Sequence, residues 1–239
     1  MFGLGTVINM GAILLGGLVG MLVGKAIPKR FQDILYMVCG ISTLFIGIGG
    51  AMQHMLVVEN GMLNTQGTMM MLLSLTVGAL IGEWIDLEKR LEQFGGWLKR
   101  KTGNAGDTTF IDAFVTASLT VCIGAMAIVG SIQDGLTGDY SILATKAILD
   151  LIIIMVMSCS LGKGAVFSAI PVAMLQGSIT ALAGLLRPVM TDGALANLSL
   201  VGNVLIFCVG VNLVWGKKVK VANLLPAIVV AVAAAFLPL

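Results

Sequence analysis

The sequence predicts an all-α protein, a polytopic bundle of about eight transmembrane helices. Two observations predict this class. Hydrophobic residues make up 58% of the 239-residue chain and charged residues only 11%, against about 25% charged in soluble proteins. Several apolar runs also reach the roughly 20 residues that a helix needs to cross about 30 Å of hydrocarbon. We therefore expect a single transmembrane domain over 1–239, with the lipid bilayer as a partner.

The apolar runs define eight candidate spans. They are residues 4–24, 33–53, 69–86, 110–130, 141–161, 165–186, 199–216 and 221–238. A broken helix is an open alternative for 165–186, because Pro171 lies within it and a proline inside a helix removes a backbone hydrogen bond.

The positions of lysine and arginine predict the orientation. Basic residues collect in the connections that follow spans 1, 3, 5 and 7, and the connections 54–68 and 131–140 contain none. Such residues favour the cytoplasmic side of a membrane. With eight spans, both termini are therefore expected outside.

The long connection 87–109 is amphipathic. Leu87, Leu91, Phe94 and Leu98 recur at helical spacing between charged residues, which is typical of a helix that lies in the headgroup layer. A docking site for a cytoplasmic partner is the alternative interpretation.

Two glycine-rich segments resemble each other. Residues 16–32 and 78–93 both contain Gly-x-x-x-Gly followed by apolar residues and Lys-Arg, and the spans that follow share the similar stretches FIGIG (45–49), CIGAM (122–126) and CVGVN (208–212). Spans 1–2, 3–4 and 6–7 would then be related hairpins, the third running in the opposite direction to the first two. Inverted repeats are common in secondary transporters. Small residues four apart also let helix backbones approach closely. Packing within one protomer and a homodimer seam are both open for these faces, which contain Gly16, Gly20, Gly24, Gly78 and Gly82.

Lys146 and Asp150 are the strongest candidates for chemistry. They lie four residues apart inside the apolar run 141–162, so one helix face carries both side chains and they can pair. A charge at this depth costs roughly 2.5–3.5 kcal/mol on insertion scales, which favours a position facing the bundle interior. Asp150 is either a structural partner of Lys146 or a group that relays a proton or exchanges Lys146 for a cationic substrate. We expect the pair to face a polar cavity between spans 5, 6 and 7.

Other polar residues extend this candidate pathway. Each intramembrane amide can join two helices by a hydrogen bond worth roughly 0.6 kcal/mol, or the amides can line one route with Asp150. Asp134 and Asp139 are expected in the outer loop 133–141, either as turn and capping residues or as an acidic mouth that attracts cations. The pathway set is Lys146, Asp150, Gln176, Asn203, Asn212, Asp134, Asp139 and Asn9.

Several function classes lack their sequence signals. The chain has no recognisable catalytic triad, no phosphate-binding loop and no cysteine or histidine spacing typical of a metal site. We therefore expect no enzymatic activity, no cofactor, no metal site and no nucleic-acid partner.

Residues 130–150, GSIQDGLTGDYSILATKAILD, run towards SCSLG at 158–162 and resemble the YqgA-like family of bacterial inner-membrane proteins. TVINMGAILLGGLVG (6–20), GALIGE (78–83) and VANLLPA (221–227) fit the same family. The resemblance implies a multi-pass protein of the bacterial inner membrane. It implies no particular activity and no functional residue.

These observations favour a small secondary transporter or channel-like permease for a small solute or ion. Its predicted polar centre consists of Lys146, Asp150, Gln176, Asn203 and Asn212, and the broken span 165–186 would add backbone ligands. The alternative is a membrane scaffold or sensor that transports nothing and binds a partner through 87–109. A transporter requires a polar, water-accessible route to Asp150, whereas a scaffold requires a dry, packed centre.

Overall fold

The computed structural model of the chain describes residues 3–59, 61–104 and 106–237. The helices in chain order are α1 (Leu4–Ala26), α2 (Lys29–Met55), α3 (Thr68–Ile85), α4 (Leu87–Lys101), α5 (Phe110–Cys122), α6 (Ala125–Thr137), α7 (Ser141–Leu161), α8 (Ala169–Ala181), α9 (Ala183–Leu186), α10 (Asp192–Trp215), α11 (Val221–Leu224) and α12 (Pro226–Ala234). This content confirms the all-α membrane bundle.

Six helical segments in the described ranges are long and apolar enough to cross a membrane. They correspond to predicted spans 1, 2, 3, 5, 6 and 7, and α5 with α6 makes a seventh if this bent pair is one span. The eighth predicted span, 221–238, is divided into α11 and α12. Because α12 has 9 residues, it rises only about 14 Å, so the count of eight is approximate.

The fourth span is not the continuous helix over 110–130 that the apolar run predicts. It consists of α5 and α6, which meet at an angle of 62°, and α6 continues to Thr137. Gly124 lies at the break with φ 144°, a backbone conformation that residues with a Cβ rarely adopt. The glycine thus permits a bend that an apolar pattern by itself does not reveal.

The segment after α7 is helical but divided. A 3₁₀ helix, Lys163–Ser168, leads into α8, and Leu182 separates α8 from α9. Pro171 lies in the first turn of α8, where a missing backbone N–H is tolerated. The division of this segment therefore does not arise from the proline.

A short hairpin occupies part of the predicted loop 54–68. Strand β1 (Leu56–Glu59) pairs antiparallel with β2 (Met62–Thr65). The sequence contains the relevant signal, because Asn60-Gly61 between two apolar stretches favours a tight hairpin turn.

Contacts divide the chain into two compact units. The first unit comprises the described residues of Met1–Cys39, Lys89–Cys122 and Met126–Leu186, and the second comprises those of Gly40–Glu88, Ile123–Ala125 and Arg187–Leu239. The single domain over the whole chain stays a prediction.

In the first unit, α1 packs against α7 through glycines. A Cβ atom on Gly16 would collide with the carbonyl of Leu151, and one on Gly20 would collide with the carbonyl of Met155. Gly24 continues the same face against α7. The small residues therefore let two helix backbones touch, and this glycine face is occupied within the protomer.

The second unit repeats this device with α3. Gly78 packs against the backbone of Ala227, and Gly82 packs against the backbone of Asn223. Both glycine pairs singled out as similar in the sequence thus support close helix contacts. Internal repetition of the chain and a homodimer both stay predictions.

Replacement of Gly20 by leucine should destabilise the protein by about 3 kcal/mol, because overpacking of a tight contact costs 1–3 kcal/mol or more. The thermal unfolding midpoint of purified protein in detergent measures the effect. Gly11→Leu is the matched control, since no described atom lies within 4 Å of a Cβ at that position of the same helix. Equal midpoints for the two variants would contradict the packing.

Candidate functional site

Lys146 and Asp150 form a buried ion pair on α7. The Nζ atom of Lys146 lies 2.7 Å from Oδ1 and 2.6 Å from Oδ2 of Asp150. Only 7% of Lys146 and 2% of Asp150 is exposed. Neither charge faces lipid, as the i, i+4 spacing and the cost of a charge in hydrocarbon predict.

A second helix contributes a hydrogen bond to the pair through Asn9 of α1. Its Nδ2 atom donates to Oδ2 of Asp150 over 3.0 Å, and the side chain is fully buried. Asn9 lies on the face of α1 that continues through Ile13 to Gly16. The glycine contact brings α1 close enough for a short amide to reach the carboxylate. The pair thus contacts span 1, which was not among the spans 5, 6 and 7 expected around it.

The prediction that Asp134 lies in the outer loop is wrong. Asp134 lies inside α6, where it is fully buried. Its Oδ2 atom accepts a hydrogen bond from the backbone N–H of Gly5 over 3.0 Å. Glycine is common in turns, but the missing Cβ of the neighbouring Gly135 admits the carbonyl of Thr180 from α8. The glycine therefore serves helix packing, and the loop begins at Gly138, whose φ is 74°.

Asp139 does lie in the loop before α7. Its Oδ1 atom accepts hydrogen bonds from the backbone N–H and the hydroxyl of Ser141, and its Oδ2 atom accepts one from Gln133. The hydroxyl and amide of Ser141 lower the pKa of the Asp139 carboxyl. The ionised carboxylate therefore stabilises the fold above its ordinary pKa, and this contribution is lost as the pH falls through the lowered value.

Gln176 of α8 is buried with 1% exposure, and neither of its amide atoms has a hydrogen-bond partner among the described residues. Four hydroxyl groups of the first unit are also buried without a hydrogen-bond partner among the described residues. They belong to Thr6, Ser118, Ser158 and Thr180. The sequence-based pathway set contains none of these four hydroxyl residues. A signal was present for Thr180, because its i, i+4 spacing from Gln176 places both residues on one helix face.

Asn203 and Asn212 belong to the second unit. Asn203 donates to the carbonyl of Ser199 in its own helix over 2.7 Å. Asn212 donates to the carbonyl of Val219 over 2.7 Å and accepts from the backbone N–H groups of Lys218 and Val219. Asn212 thereby stabilises the turn after α10. The assignment of both amides to the pathway stays a prediction.

The second unit contains a polar network that the sequence did not indicate. Asn223 donates to Glu83 over 2.6 Å and accepts from the backbone N–H of Glu88 over 2.7 Å. Lys217 pairs with Glu88 and Lys220 pairs with Glu83, and the Glu83 carboxylate raises the pKa of Lys220. These contacts attach the start of α11 to α3 and α4.

A cavity of about 920 Å³ lies in the first unit at the end predicted to be cytoplasmic. Leu18 and Leu22 line its apolar side, and Lys25 and Lys163 contribute two ammonium groups. Ser158 of α7 also lines it, and this buried hydroxyl has no partner in the described part of the chain. The cavity thus reaches a polar group on the helix that carries Asp150.

The fold and the site together define a polytopic α-helical membrane protein with buried charged groups. The chain belongs to the family described as protein of unknown function DUF554, which matches residues 4–236, and this confirms the resemblance to the YqgA-like family. It is 32% identical over 232 residues to the uncharacterized protein YqgA of Escherichia coli K12, covering 95% of this chain and 94% of that protein. It is 28% identical over 226 residues to the uncharacterized membrane protein YdfK of Bacillus subtilis 168, covering 95% and 93%. No solved structure matches the chain.

Lys146→Met should destabilise the protein by about 3–5 kcal/mol, because it leaves the buried Asp150 carboxylate without its cation. Adding Asp150→Leu should recover much of this loss, since the double variant contains no unpaired charge. Unfolding midpoints in detergent measure both effects, and Asp33→Asn, at an exposed carboxylate of α2, serves as a control. A double variant that is less stable than Lys146→Met would contradict the pairing.

Proposed function

We propose that this protein is a small secondary transporter or channel-like permease of the bacterial inner membrane, and that it moves a small solute or ion through the first unit. One observation carries the proposal. All the buried side-chain atoms that lack a hydrogen-bond partner within the described residues belong to the first unit. Unsatisfied buried polar groups are costly, and intramembrane polar groups that face a bundle interior commonly mark a substrate route.

The ion pair is the proposed centre of this route. Lys146 occupies both oxygens of Asp150 in the present conformation, so it acts as an internal cation. A substrate cation or a proton that reaches Asp150 would compete with Lys146 for the carboxylate. Asn9 would keep the carboxylate oriented during this exchange, because its amide binds Oδ2 from another helix.

The cavity is the proposed access route from the cytoplasm. Asp150, Ile154 and Ser158 follow each other at intervals of four residues on α7, so they lie near one face. About 12 Å of helix rise separates Asp150 from Ser158. Ile154 is fully buried between them, and we assign it the role of an apolar barrier that must move for passage.

Several further features belong to the proposal. Both termini lie outside, the basic connections lie in the cytoplasm, the protein catalyses no reaction and it forms a homo-oligomer. Because Gly16 and Gly20 already contact α7, the seam between protomers uses another face.

The scaffold alternative has weaker support. The apolar side of α4 is partly used within the chain, since Phe94 packs against Phe114 with ring centroids 5.8 Å apart and Leu98 is 5% exposed. Less of that side remains for a partner. A dry centre would also leave the polar atoms around Gln176 without compensation.

Cysteine accessibility separates the two functions. In a background whose four cysteines are replaced by alanine, Ser158→Cys and Gln176→Cys should react with a membrane-impermeant methanethiosulfonate, because water reaches a transport route. Ile152→Cys is the control, since Ile152 is 49% exposed on α7 and should face hydrocarbon, where a thiol stays protonated. Failure of both route positions to react would favour the scaffold.

Reporter fusions test the orientation. A fluorescent protein fused after Lys101 should fluoresce, and alkaline phosphatase fused at the same position should be inactive, because the connection 87–109 is cytoplasmic. Fusions in the connection 54–68 serve as the control and should show the reverse. Active phosphatase after Lys101 would reject both the orientation and the external termini.

A further inference from the structure

Two buried carboxylates of the first unit are held by the same face of α1. The backbone N–H of Gly5 binds Asp134 over 3.0 Å, and the amide of Asn9 binds Asp150 over 3.0 Å. Four residues of helix correspond to a rise of about 6 Å. The two carboxylates, which come from α6 and α7, therefore bind α1 about one helical turn apart.

Among the described residues of the first unit, the buried carboxylates outnumber the buried ammonium groups. The buried charged side chains of the first unit, within the described ranges, are Asp134, Lys146 and Asp150. Lys146 contacts both oxygens of Asp150, whereas the one hydrogen-bond donor to the Asp134 carboxylate among the described residues is the backbone N–H of Gly5. One ammonium thus accompanies two carboxylates. A buried carboxylate without a compensating charge is strongly disfavoured, so the group requires one more positive charge.

The face of α1 that Asp134 contacts also carries buried oxygen atoms without a hydrogen-bond partner in the described chain. Oδ1 of Asp134, Oδ1 of Asn9 and Oγ1 of Thr6 are buried and have no hydrogen-bond partner in the described chain. Thr6 and Asn9 are three residues apart on α1, so they lie on one face. Asp134 reaches the same face at Gly5. The hydroxyl of Thr180, likewise without a partner in the described ranges, belongs to the turn of α8 whose backbone meets Gly135.

We propose that Thr6, Asn9 and Asp134 form a binding site for one monovalent metal cation of the sodium class, with Thr180 as a fourth ligand. Carboxylate, amide and hydroxyl oxygens are the ligands that hard cations prefer. A single positive charge balances the group, whereas a divalent ion would leave an excess. No set of three or more His, Cys, Asp and Glu residues in the described chain is arranged to hold a metal ion, which disfavours a transition metal at this site.

The site adds to the proposed function the identity of the transported or coupling ion. Movement of the ion rests on the proposed function, whereas binding of the ion does not. Asn9 joins the two parts, because its Nδ2 atom binds Asp150 while its Oδ1 atom is a ligand of the cation. Binding of the cation is thereby coupled to the orientation of the Asp150 carboxylate, whose charge Lys146 neutralises. Binding itself can be measured in the absence of any transport.

Thermal unfolding of the purified full-length protein in detergent tests the site at constant pH and ionic strength. Replacement of choline chloride by NaCl should raise the unfolding midpoint and reach saturation, because a ligand that binds only the folded state stabilises it. Asp134→Asn should abolish the difference between the two salts. Asp33→Asn should retain it, since Asp33 is an exposed carboxylate of α2.

Thr6→Val provides a second variant in case Asp134→Asn fails to fold. Loss of one oxygen ligand should raise the half-saturating NaCl concentration about tenfold, the factor that corresponds to one weak ligand contact. Equal midpoints of the unmodified protein in NaCl, KCl, LiCl and choline chloride would overturn the site. A dependence on pH without any dependence on the metal cation would also overturn it, because the proton would then supply the missing charge. If sodium still binds but neither Ser158→Cys nor Gln176→Cys reacts with the impermeant reagent, the transport proposal is rejected and the cation site stands.

Discussion

The close contact between α1 and α7 is the constraint on which the buried site depends. Gly16 and Gly20 let the backbone of α1 reach the carbonyls of α7, and only at this separation does the short Asn9 side chain reach Asp150. A larger residue at either glycine would separate the helices and remove the interhelical hydrogen bond. Helix packing and the chemistry of the site therefore rest on the same small residues.

The buried polar groups of the first unit fall into two classes. Lys146, Asp150 and the amide nitrogen of Asn9 satisfy one another, so they stabilise the contact between helices at a depth where isolated charges are costly. Asp134 and Gln176 retain atoms without a hydrogen-bond partner in the described residues. The first class holds the helices in position, and the second can receive a ligand. A binding site built beside a rigid anchor loses little of its geometry when it is filled.

The second unit contains similar glycine contacts and buried polar residues, but the carboxylates of its polar network have cationic partners. Its glycines, Gly78 and Gly82, also admit a neighbouring backbone, and Asn223 also bonds to carboxyl-bearing residues of other helices. There the carboxylates of Glu83 and Glu88 have lysine partners. Satisfied networks of this kind add rigidity. The difference between the units lies in the balance between polar atoms and their partners, and the residue types are similar.

The sequence by itself determined the class of the protein, most of the spans and the Lys146–Asp150 pair. These features depend on local composition and on the helical period, which are properties of consecutive residues. Only the tertiary structure decided that Asp134 is buried in α6, that the fourth span bends at Gly124, and that Asn9 meets Asp150. Each depends on a contact between residues far apart in the chain: Gly135 with Thr180 and Gly5 with Asp134 are such contacts. A glycine that permits a turn and a glycine that admits a neighbouring helix look identical in a sequence, because both meanings follow from the same missing Cβ.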